Sequence, residues 1–165
     1  MQERQVLCIM KILVVSDSHS CMSFMRSCVD RVKPDQIIHL GDHFRDGEAL
    51  KEAYPLLPVA QVIGNCDLYD FSARGGKDQL ILTLDGHRVM LCHGHRYHVK
   101  SSLLSLSYAA REAEAELCLF GHTHIPHLEQ LDGSTLLNPG SIGNGDFAVA
   151  ETDDGKLRCA LLHLS

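Results

Sequence analysis

The sequence predicts an α/β protein, and two observations carry that prediction. In the first part of the chain, short apolar segments rich in β-branched residues alternate with amphipathic ones, which indicates a parallel sheet covered by helices. Hairpin signals such as Asp85-Gly86 follow, and they indicate antiparallel strands that form a second sheet packed on the first. The 165 residues suit one domain over 1–165, because a chain of this length buries about 70% of its unfolded surface.

The predicted elements follow from local patterns along the chain. Continuous apolar runs favour strands, whereas apolar residues at helical spacing favour helices that end before Pro34 and near Pro55. The expected strands and helices are a strand at 11–16, a helix at 22–33, a strand at 35–40, a helix at 46–54, a strand at 58–63, a hairpin over 79–92, a helix from 101 to 115, a strand at 116–120 and three more strands in the tail.

Composition excludes several classes of protein. The formal net charge of -6 argues against nonspecific binding to nucleic acid or to an anionic membrane, and no apolar run approaches the length of a membrane span. The seven cysteines are scattered and form no C-x-x-C motif, which indicates reduced thiols and a cytoplasmic location. Residues 1–9 precede the first strand and carry no motif, so they are expected to be a poorly ordered leader.

Five of the predicted strands end in polar side chains that can bind a metal. These strand ends read D-S-H, G-D-H, G-N-C-D, H-G-H and G-H-T-H, at 17–19, 41–43, 64–67, 93–95 and 121–124. Ligands of open α/β sheets bind beyond the carboxyl ends of the strands, so the five loops are expected to meet in one site. His122 and His124 are two positions apart, which places both imidazoles on one face of an extended chain.

Each strand end also has a plain structural interpretation. Asp17 and Asp42 would be good helix caps. Asn65 suits a turn, and His93 suits a hydrogen-bonded core histidine. Five such coincidences at strand ends nevertheless favour a metal site. The oxygen and nitrogen ligands are too many for one ion and suit two ions that share a carboxylate, and the residual positive charge would attract a phosphoryl group.

In this order, the motifs D-x-H, G-D, G-N-x-D, H-G-H and G-H-x-H resemble those of the calcineurin-like metallophosphoesterases. The resemblance runs from Lys11 to about Ile142 and is greatest to the small prokaryotic phosphodiesterase branch, the YfcE type. It implies a four-layer αββα sandwich of two mixed β-sheets flanked by helices. It also implies a metal-dependent phosphodiesterase in which a bridging hydroxide attacks phosphorus at a dinuclear centre.

The resemblance also implies a metal ligand at each of seven positions. The first ion would be held by Asp17, His19 and His124, the second by Asn65, His93 and His122, and Asp42 would bridge the two. Mn²⁺ is the expected metal, although Zn²⁺, Fe²⁺, Ni²⁺ and Mg²⁺ accept similar ligands. The N-P-G-S segment, Asn138 to Ser141, matches a loop near the site in small members of the family. The expected partner is a small-molecule phosphate ester.

The residue after the motif asparagine departs from much of the superfamily, which has a histidine thought to protonate the leaving oxygen there. Here it is Cys66, and a neutral thiol with a pKa of about 8.5 is a poor hydrogen-bond donor. His95 lies two residues beyond His93 and is the other candidate for a catalytic acid. We therefore expect weak activity on unactivated monoesters.

Two other functions compete with the phosphodiesterase. A subunit of the eukaryotic retromer coat is similar to this small branch and acts mainly through protein contacts, so a metal-binding interaction scaffold is the alternative. Competent residues fill all seven ligand positions here, which favours the enzyme. The acidic balance counts against a nuclease. The sequence leaves open the physiological substrate and the oligomeric state, a homo-oligomer included.

Overall fold

The computed structural model describes residues 9–165, so residues 1–8 of the expected leader lie outside the described chain. The described chain forms ten strands and three α-helices. In chain order these are β1 (Met10–Val15), α1 (Met22–Val32), β2 (Gln36–His39), α2 (Phe44–Ala53), β3 (Val59–Gln61), β4 (Gln79–Leu84), β5 (His87–Cys92), α3 (Leu104–Glu112), β6 (Leu117–Leu119), β7 (His127–Leu131), β8 (Ser134–Asn138), β9 (Asp146–Asp153) and β10 (Lys156–His163).

The strands form two mixed sheets of five strands each. The first sheet has the order β10-β9-β1-β2-β3, and the second has the order β4-β5-β6-β8-β7. The strands β1, β2 and β3 run parallel, and β9 pairs antiparallel with β1. In the second sheet β5, β6 and β8 run parallel, and the two edge strands are antiparallel. The second sheet is therefore less antiparallel than the hairpin signals indicate.

Alternating side chains divide the core into three apolar layers. In β1, Ile12 and Val14 face the second sheet, whereas Leu13 and Val15 face the helices α1 and α2. In the second sheet, Val89 and Leu91 of β5 pack between the sheets while neighbouring residues contact α3. Successive side chains of a strand point to opposite faces, so each strand contributes to two layers. The predicted αββα sandwich is confirmed.

Two local predictions are wrong. The tail holds four strands instead of three. Of these, β9 and β10 belong to the first sheet and form one of its edges. The third helix begins at Leu104 instead of Ser101, because the backbone N–H groups of Ser101 and Ser102 bond to the carbonyl of His98 and close a turn. No helix within residues 9–165 has the length and apolar composition needed to span a bilayer.

The sheet arrangement brings the predicted strand ends together. The loop after β1 joins the loop after β2, because Asp17 N donates to Gly41 O at 3.0 Å. The loop after β6 joins the loop after β5, because Gly121 N donates to His93 O at 2.9 Å. The two sheets are linked where His93 Nδ1 donates to Leu40 O at 2.7 Å. All of these contacts lie at the same edge of the sandwich.

A buried polar network supports the loop after β1. His39 Nδ1 accepts from Gly41 N at 3.3 Å, so its Nε2 carries the proton and bonds to Ser18 Oγ at 2.9 Å. The Ser18 hydroxyl donates to Asp46 Oδ2 at 2.6 Å. Burial lowers the pKa of His39 to about 4, although the Asp46 carboxylate opposes the shift. His39 is therefore neutral in the folded protein at pH 7.

The neutral His39 predicts a loss of stability in acid. Between pH of about 6.5 and about 4 the unfolded chain binds a proton at His39 and the folded chain does not, so the free energy of unfolding falls as the pH drops. The full shift is worth up to ~3 kcal/mol. We expect His39→Gln, whose amide N–H can replace the imidazole N–H donor, to flatten the pH dependence of the thermal midpoint in metal-free buffer. His163→Gln at the surface is the control, and parallel curves for wild type and His39→Gln would contradict the prediction.

Candidate metal centre

Five of the seven predicted ligands form two overlapping groups whose ligand atoms lie within 4.8 Å of one another. One group consists of Asp17, His19 and His124, and the other of Asp17, Asp42 and His93. Asp17 belongs to both groups because its Oδ1 atom lies 3.1 Å from His124 Nε2 and 3.8 Å from His93 Nε2. The structure thus places Asp17, and not Asp42 alone, between the two halves of the cluster.

The remaining two predicted ligands lie beside these groups. The His122 ring packs against the His93 ring, with centroids 5.1 Å apart. Asn65 immediately precedes Cys66, whose backbone N–H donates to Asp42 Oδ1 at 2.9 Å. Burial and the neighbouring His93 lower the pKa of His122 to about 4, which keeps its imidazole neutral and able to bind a cation at pH 7.

Three buried acceptor atoms of the cluster have no hydrogen-bond partner among residues 9–165. They are Asp17 Oδ1, Asn65 Oδ1 and His93 Nε2. Leaving a buried polar atom unpaired costs roughly 1–3 kcal/mol, so each of these atoms requires an explanation. All three are lone-pair donors of the kind that divalent ions accept. The residues therefore fit the metal that the sequence pattern implies.

The buried His93 is oriented so that a lone pair faces the two carboxylates. Its Nδ1–H bonds to Leu40 O, so Nε2, 3.4 Å from Asp42 Oδ2, is the nitrogen that can bind a metal ion or take up a second proton. Burial lowers the pKa of His93, but Asp42 and Asp17 outweigh burial and raise it overall. Burial likewise opposes ionisation of Asp42, yet contact with His93 and the Cys66 amide lowers its pKa overall. Carboxylates that stabilise a proton on His93 also stabilise a metal ion in its place.

Neighbouring groups fix one oxygen of the Asp17 carboxylate and the backbone of Asp42. Asp17 Oδ2 accepts from Ser16 Oγ at 2.5 Å and from His122 N at 3.1 Å, so only Oδ1 faces the cluster. The backbone of Asp42 is held by Asp67, whose carboxylate accepts from Asp42 N at 2.9 Å and from Gly64 N at 2.8 Å. The sequence did not indicate this role for Asp67, although it lies in the quoted G-N-C-D motif.

The N-P-G-S loop ties together the loops after β1 and β6. Asn138 Nδ2 donates to Gly121 O and to Thr123 Oγ1, both at 2.9 Å. Ser141 Oγ donates to the backbone carbonyl of Asp17 at 2.8 Å. Asn138 is fully buried and Ser141 nearly so. These residues position the predicted ligands without reaching the cluster themselves, a role that spacing alone does not indicate.

The plain structural interpretation holds for Asn65 and does not hold for Asp17, Asp42 and His93. The residues at the cap positions of α1 and α2 are Cys21 and His43, so neither Asp17 nor Asp42 is a helix cap. His93 has only one of its two ring nitrogens paired within the described part of the chain. Asn65 lies in a turn, as the first residue of the single 3₁₀ turn Asn65–Asp67, but its side-chain oxygen accepts no bond from residues 9–165.

Backbone strain is concentrated at the same place. Five predicted ligands have a positive φ: Asp17 (53°), His19 (45°), Asp42 (58°), His122 (72°) and His124 (61°). A left-handed conformation costs a residue with a side chain roughly 1–2 kcal/mol, and such residues cluster at functional sites. The fold therefore tolerates local strain in order to aim these side chains at one another.

The two candidate catalytic acids lie in different surroundings. Cys66 is exposed, and desolvation of its sulfur, together with the Asp42 carboxylate, raises the pKa of the thiol to about 11. The His95 ring lies 5.5 Å from the His93 ring and 6.1 Å from the His122 ring. Burial, followed by the neighbouring His93, lowers the pKa of His95. Both side chains are thus uncharged at pH 7 and border the cluster.

A two-sheet α/β sandwich with carboxylates and imidazoles gathered at its strand ends defines a class of metal-binding phosphoesterases. The sequence matches the calcineurin-like phosphoesterase superfamily domain over residues 10–158, and the chain belongs to that superfamily. The family prediction is confirmed. Because the family is metal-dependent, the cluster is the candidate metal centre.

Three relatives show the range of proteins similar to this chain. The probable metallophosphoesterase YsnB of Bacillus subtilis is 38% identical over 136 residues, which cover 81% of this chain and 75% of YsnB. A conserved Streptococcus pneumoniae protein, described as a predicted phosphoesterase, superposes with a TM-score of 0.77 at 30% identity, covering 94% of this chain and 90% of that one. The vacuolar protein sorting-associated protein 29 of Schizosaccharomyces pombe is 30% identical over 156 residues, covering 90% of this chain and 80% of its own.

Gly121 offers a test of how closely the cluster is packed. A Cβ atom at this position would collide with Ser16 Oγ and lie 2.8 Å from Asp17 Oδ2. We expect Gly121→Ala to displace the Asp17 carboxylate and weaken Mn²⁺ binding by about 10-fold or more, measured by titration calorimetry. Gly133→Ala in the open β7–β8 turn is the control, because its strained φ of 84° costs stability far from the cluster. Equal Mn²⁺ affinities in the two variants would refute the prediction.

Proposed function

We propose that the protein is a metal-dependent phosphodiesterase that uses two divalent ions, with a hydroxide between them, to cleave one ester bond of a small-molecule phosphodiester. The observation that carries this proposal is that Asp17, His19, His124, Asp42 and His93 form two overlapping groups of ligand atoms, in which Asp17 Oδ1 and His93 Nε2 have no hydrogen-bond partner among residues 9–165. Buried lone pairs without a hydrogen-bond partner have a clear use in holding cations and little value for stability.

The seven predicted ligands supply enough donors for two ions. We propose that the first ion is held by Asp17, His19 and His124, the second by Asn65, His93 and His122, and that Asp42 bridges them. When bound, such ions clamp phosphate oxygens and lower the pKa of water so that hydroxide is available at neutral pH. The donor set of oxygen and imidazole nitrogen suits Mn²⁺, the metal we propose, although it does not by itself exclude Zn²⁺ or Fe²⁺.

The chain's own side chains orient the metal ligands and supply the negative charge that holds the cations. The Leu40 carbonyl keeps the His93 lone pair directed inward, and the buried Asp17 and Asp42 provide the negative charge that retains cations. His124 is partly exposed, with 43% of its side chain accessible, so a phosphate group can approach from that side. Water adds its oxygen to phosphorus, one ester P–O bond breaks, and a proton passes to the leaving oxygen, which gives a monoester and an alcohol.

A protein-interaction scaffold is the second candidate function. It is favoured by the similarity to vacuolar protein sorting-associated protein 29, which extends over 90% of this chain. The similarity to YsnB, a probable metallophosphoesterase, favours the enzyme. The two candidates differ in whether the purified chain hydrolyses bis-p-nitrophenyl phosphate after chelation and reloading with Mn²⁺.

Asp42 should be the ligand whose loss matters most. Asp42→Asn keeps the shape of the side chain but removes the charge shared by both proposed ions. We expect it to lower both the bound-metal stoichiometry and kcat/KM for bis-p-nitrophenyl phosphate, the latter by about 100-fold or more, because metal ions supply several kcal/mol of transition-state stabilisation. Asp146→Asn, whose carboxylate contacts His163 away from the cluster, is the matched control. Two ions bound normally in Asp42→Asn would disprove the bridge.

Cys66 should contribute little to diester cleavage. A thiol whose pKa is raised to about 11 donates a proton poorly, so Cys66→Ala is expected to keep kcat/KM for the bis-ester within about twofold. Cys66→His should raise kcat/KM for p-nitrophenyl phosphate by about 10-fold or more, because an imidazole is a better acid at pH 7. If diesterase activity collapsed in Cys66→Ala with metal content intact, the thiol would be catalytic.

A further inference from the structure

The turn that follows the H-G-H motif packs against the loops of two predicted imidazole ligands. Val99, in this turn, is buried, and a Cβ atom at Gly94 would lie 2.9 Å from Val99 Cγ2 and 3.6 Å from Gly121 O. Gly94 directly follows the predicted ligand His93, and Gly121 directly precedes the predicted ligand His122. The Val99 side chain therefore anchors the turn beside the candidate metal centre.

The next residue, Lys100, is exposed and borders the G-H-T-H loop. Lys100 lines the same cavity as Thr123, the residue that directly follows His122. The two backbone N–H groups after Lys100 both donate to His98 O, at 2.9 and 3.3 Å, which fixes the backbone of the turn. Burial and His93 lower the pKa of His122 most, and the positive charge of Lys100 lowers it further. A charge that acts on His122 also acts on an anion bound beside it.

Lys100 differs from two arginines of the neighbouring segments in having no local counterion. Arg45 Nε lies 3.1 Å from Asp70 Oδ2, and Arg96 Nε lies 3.1 Å from Asp78 Oδ1. Lys100 forms no ion pair with any carboxylate of residues 9–165. The two arginine charges are neutralised within the chain, whereas the Lys100 ammonium is free to bind an external anion.

The charge balance of the proposed centre indicates which anion Lys100 meets. Two divalent ions, the buried carboxylates of Asp17 and Asp42 and one hydroxide together carry a single positive charge. The one negative charge of a phosphodiester neutralises it, so Lys100 is a cation in excess of that balance. None of the described residues that line the cavity beside Lys100 is acidic. A second negative charge on the substrate therefore meets a cation without a competing carboxylate.

We propose that Lys100 binds a second anionic group of the substrate, so that the preferred substrates are phosphodiesters with a carboxylate or a further phosphate on one arm. The assignment rests on the proposed phosphodiesterase function and extends it from a reaction to a class of substrate. A lysine ammonium is a point charge on a flexible stem, which suits an anionic group whose position varies with the arm. Diesters of the same size with an uncharged arm are bound more weakly.

Two phosphonates that differ by one charge test this assignment on the Mn²⁺-loaded full-length protein. They are 3-phosphonopropionate and its amide, whose P–C bond is not hydrolysed, so titration calorimetry measures binding independently of activity. We expect wild-type protein to bind the carboxylate about fivefold more tightly than the amide at low salt, as an exposed ion pair allows. Lys100→Gln should remove this preference and leave the affinity for the amide within about twofold. The longer 5-phosphonopentanoate and its amide extend the test to a more distant anionic group.

Lys100→Arg and Lys156→Gln are the controls. Arginine keeps the positive charge, so Lys100→Arg should keep the preference for the carboxylates. Lys156 is opposite Asp153 in the β9–β10 hairpin, at the edge of the sandwich where β1 begins. The candidate metal centre lies beyond the other end of β1, so Lys156→Gln should bind both phosphonates as wild type does.

The possible failures are distinguishable. If the preference persists in Lys100→Gln at both chain lengths, or is absent from wild type, the assignment is overturned and the phosphodiesterase stands. An equal loss of affinity for the carboxylates and the amides also overturns it, because Lys100 would then contact the phosphoryl group that they share. If the Mn²⁺-loaded protein does not hydrolyse bis-p-nitrophenyl phosphate, the proposed function fails and the substrate assignment fails with it.

Discussion

The burial of two carboxylates beside one imidazole is the constraint on which the rest of this structure depends. Asp17 and Asp42 are almost inaccessible to solvent, and both carboxylates lie near His93 Nε2, where their negative charges repel each other. Charges buried in this way are costly unless a cation lies between them. A proton on His93 neutralises part of this negative charge, and divalent ions would neutralise all of it. The unpaired acceptors mark where the ions would lie, so the same electrostatic requirement accounts for both the pKa shifts and the proposed activity.

The sandwich serves to hold these groups against their repulsion. Parallel strands in both sheets end at one edge, and the bond from His93 to Leu40 joins the two sheets there. Hydrogen bonds from the loops around Asp67 and Asn138 fix the backbone of the cluster, and several predicted ligands accept strained left-handed conformations. Burial of the apolar layers stabilises the fold and offsets the energetic cost of these strained conformations. The proposed hydrolysis would require such rigid positioning of the ligands, since misplacement by about 1 Å can cost 100-fold in rate.

The sequence predicted the parts of the structure that depend on local patterns. Apolar runs marked the strands, and the polar residues after them marked the site, because the ends of parallel strands must meet. It did not predict that β9 and β10 join the first sheet, since strand pairing between distant segments leaves no periodic signal. The supporting roles of Asp67 and Ser141 were also missed, because a carboxylate or hydroxyl bonded to backbone groups looks the same in sequence as one in a surface turn.

The central claim is that the buried acceptors of Asp17, Asn65 and His93 face a preformed pair of cation sites. Anomalous diffraction from crystals grown with Mn²⁺ tests it most directly, because the metal is located independently of any activity. The account predicts two anomalous peaks about 3.5–4 Å apart, with Asp42 within bonding distance of both. A single peak, or peaks away from these residues, would contradict it.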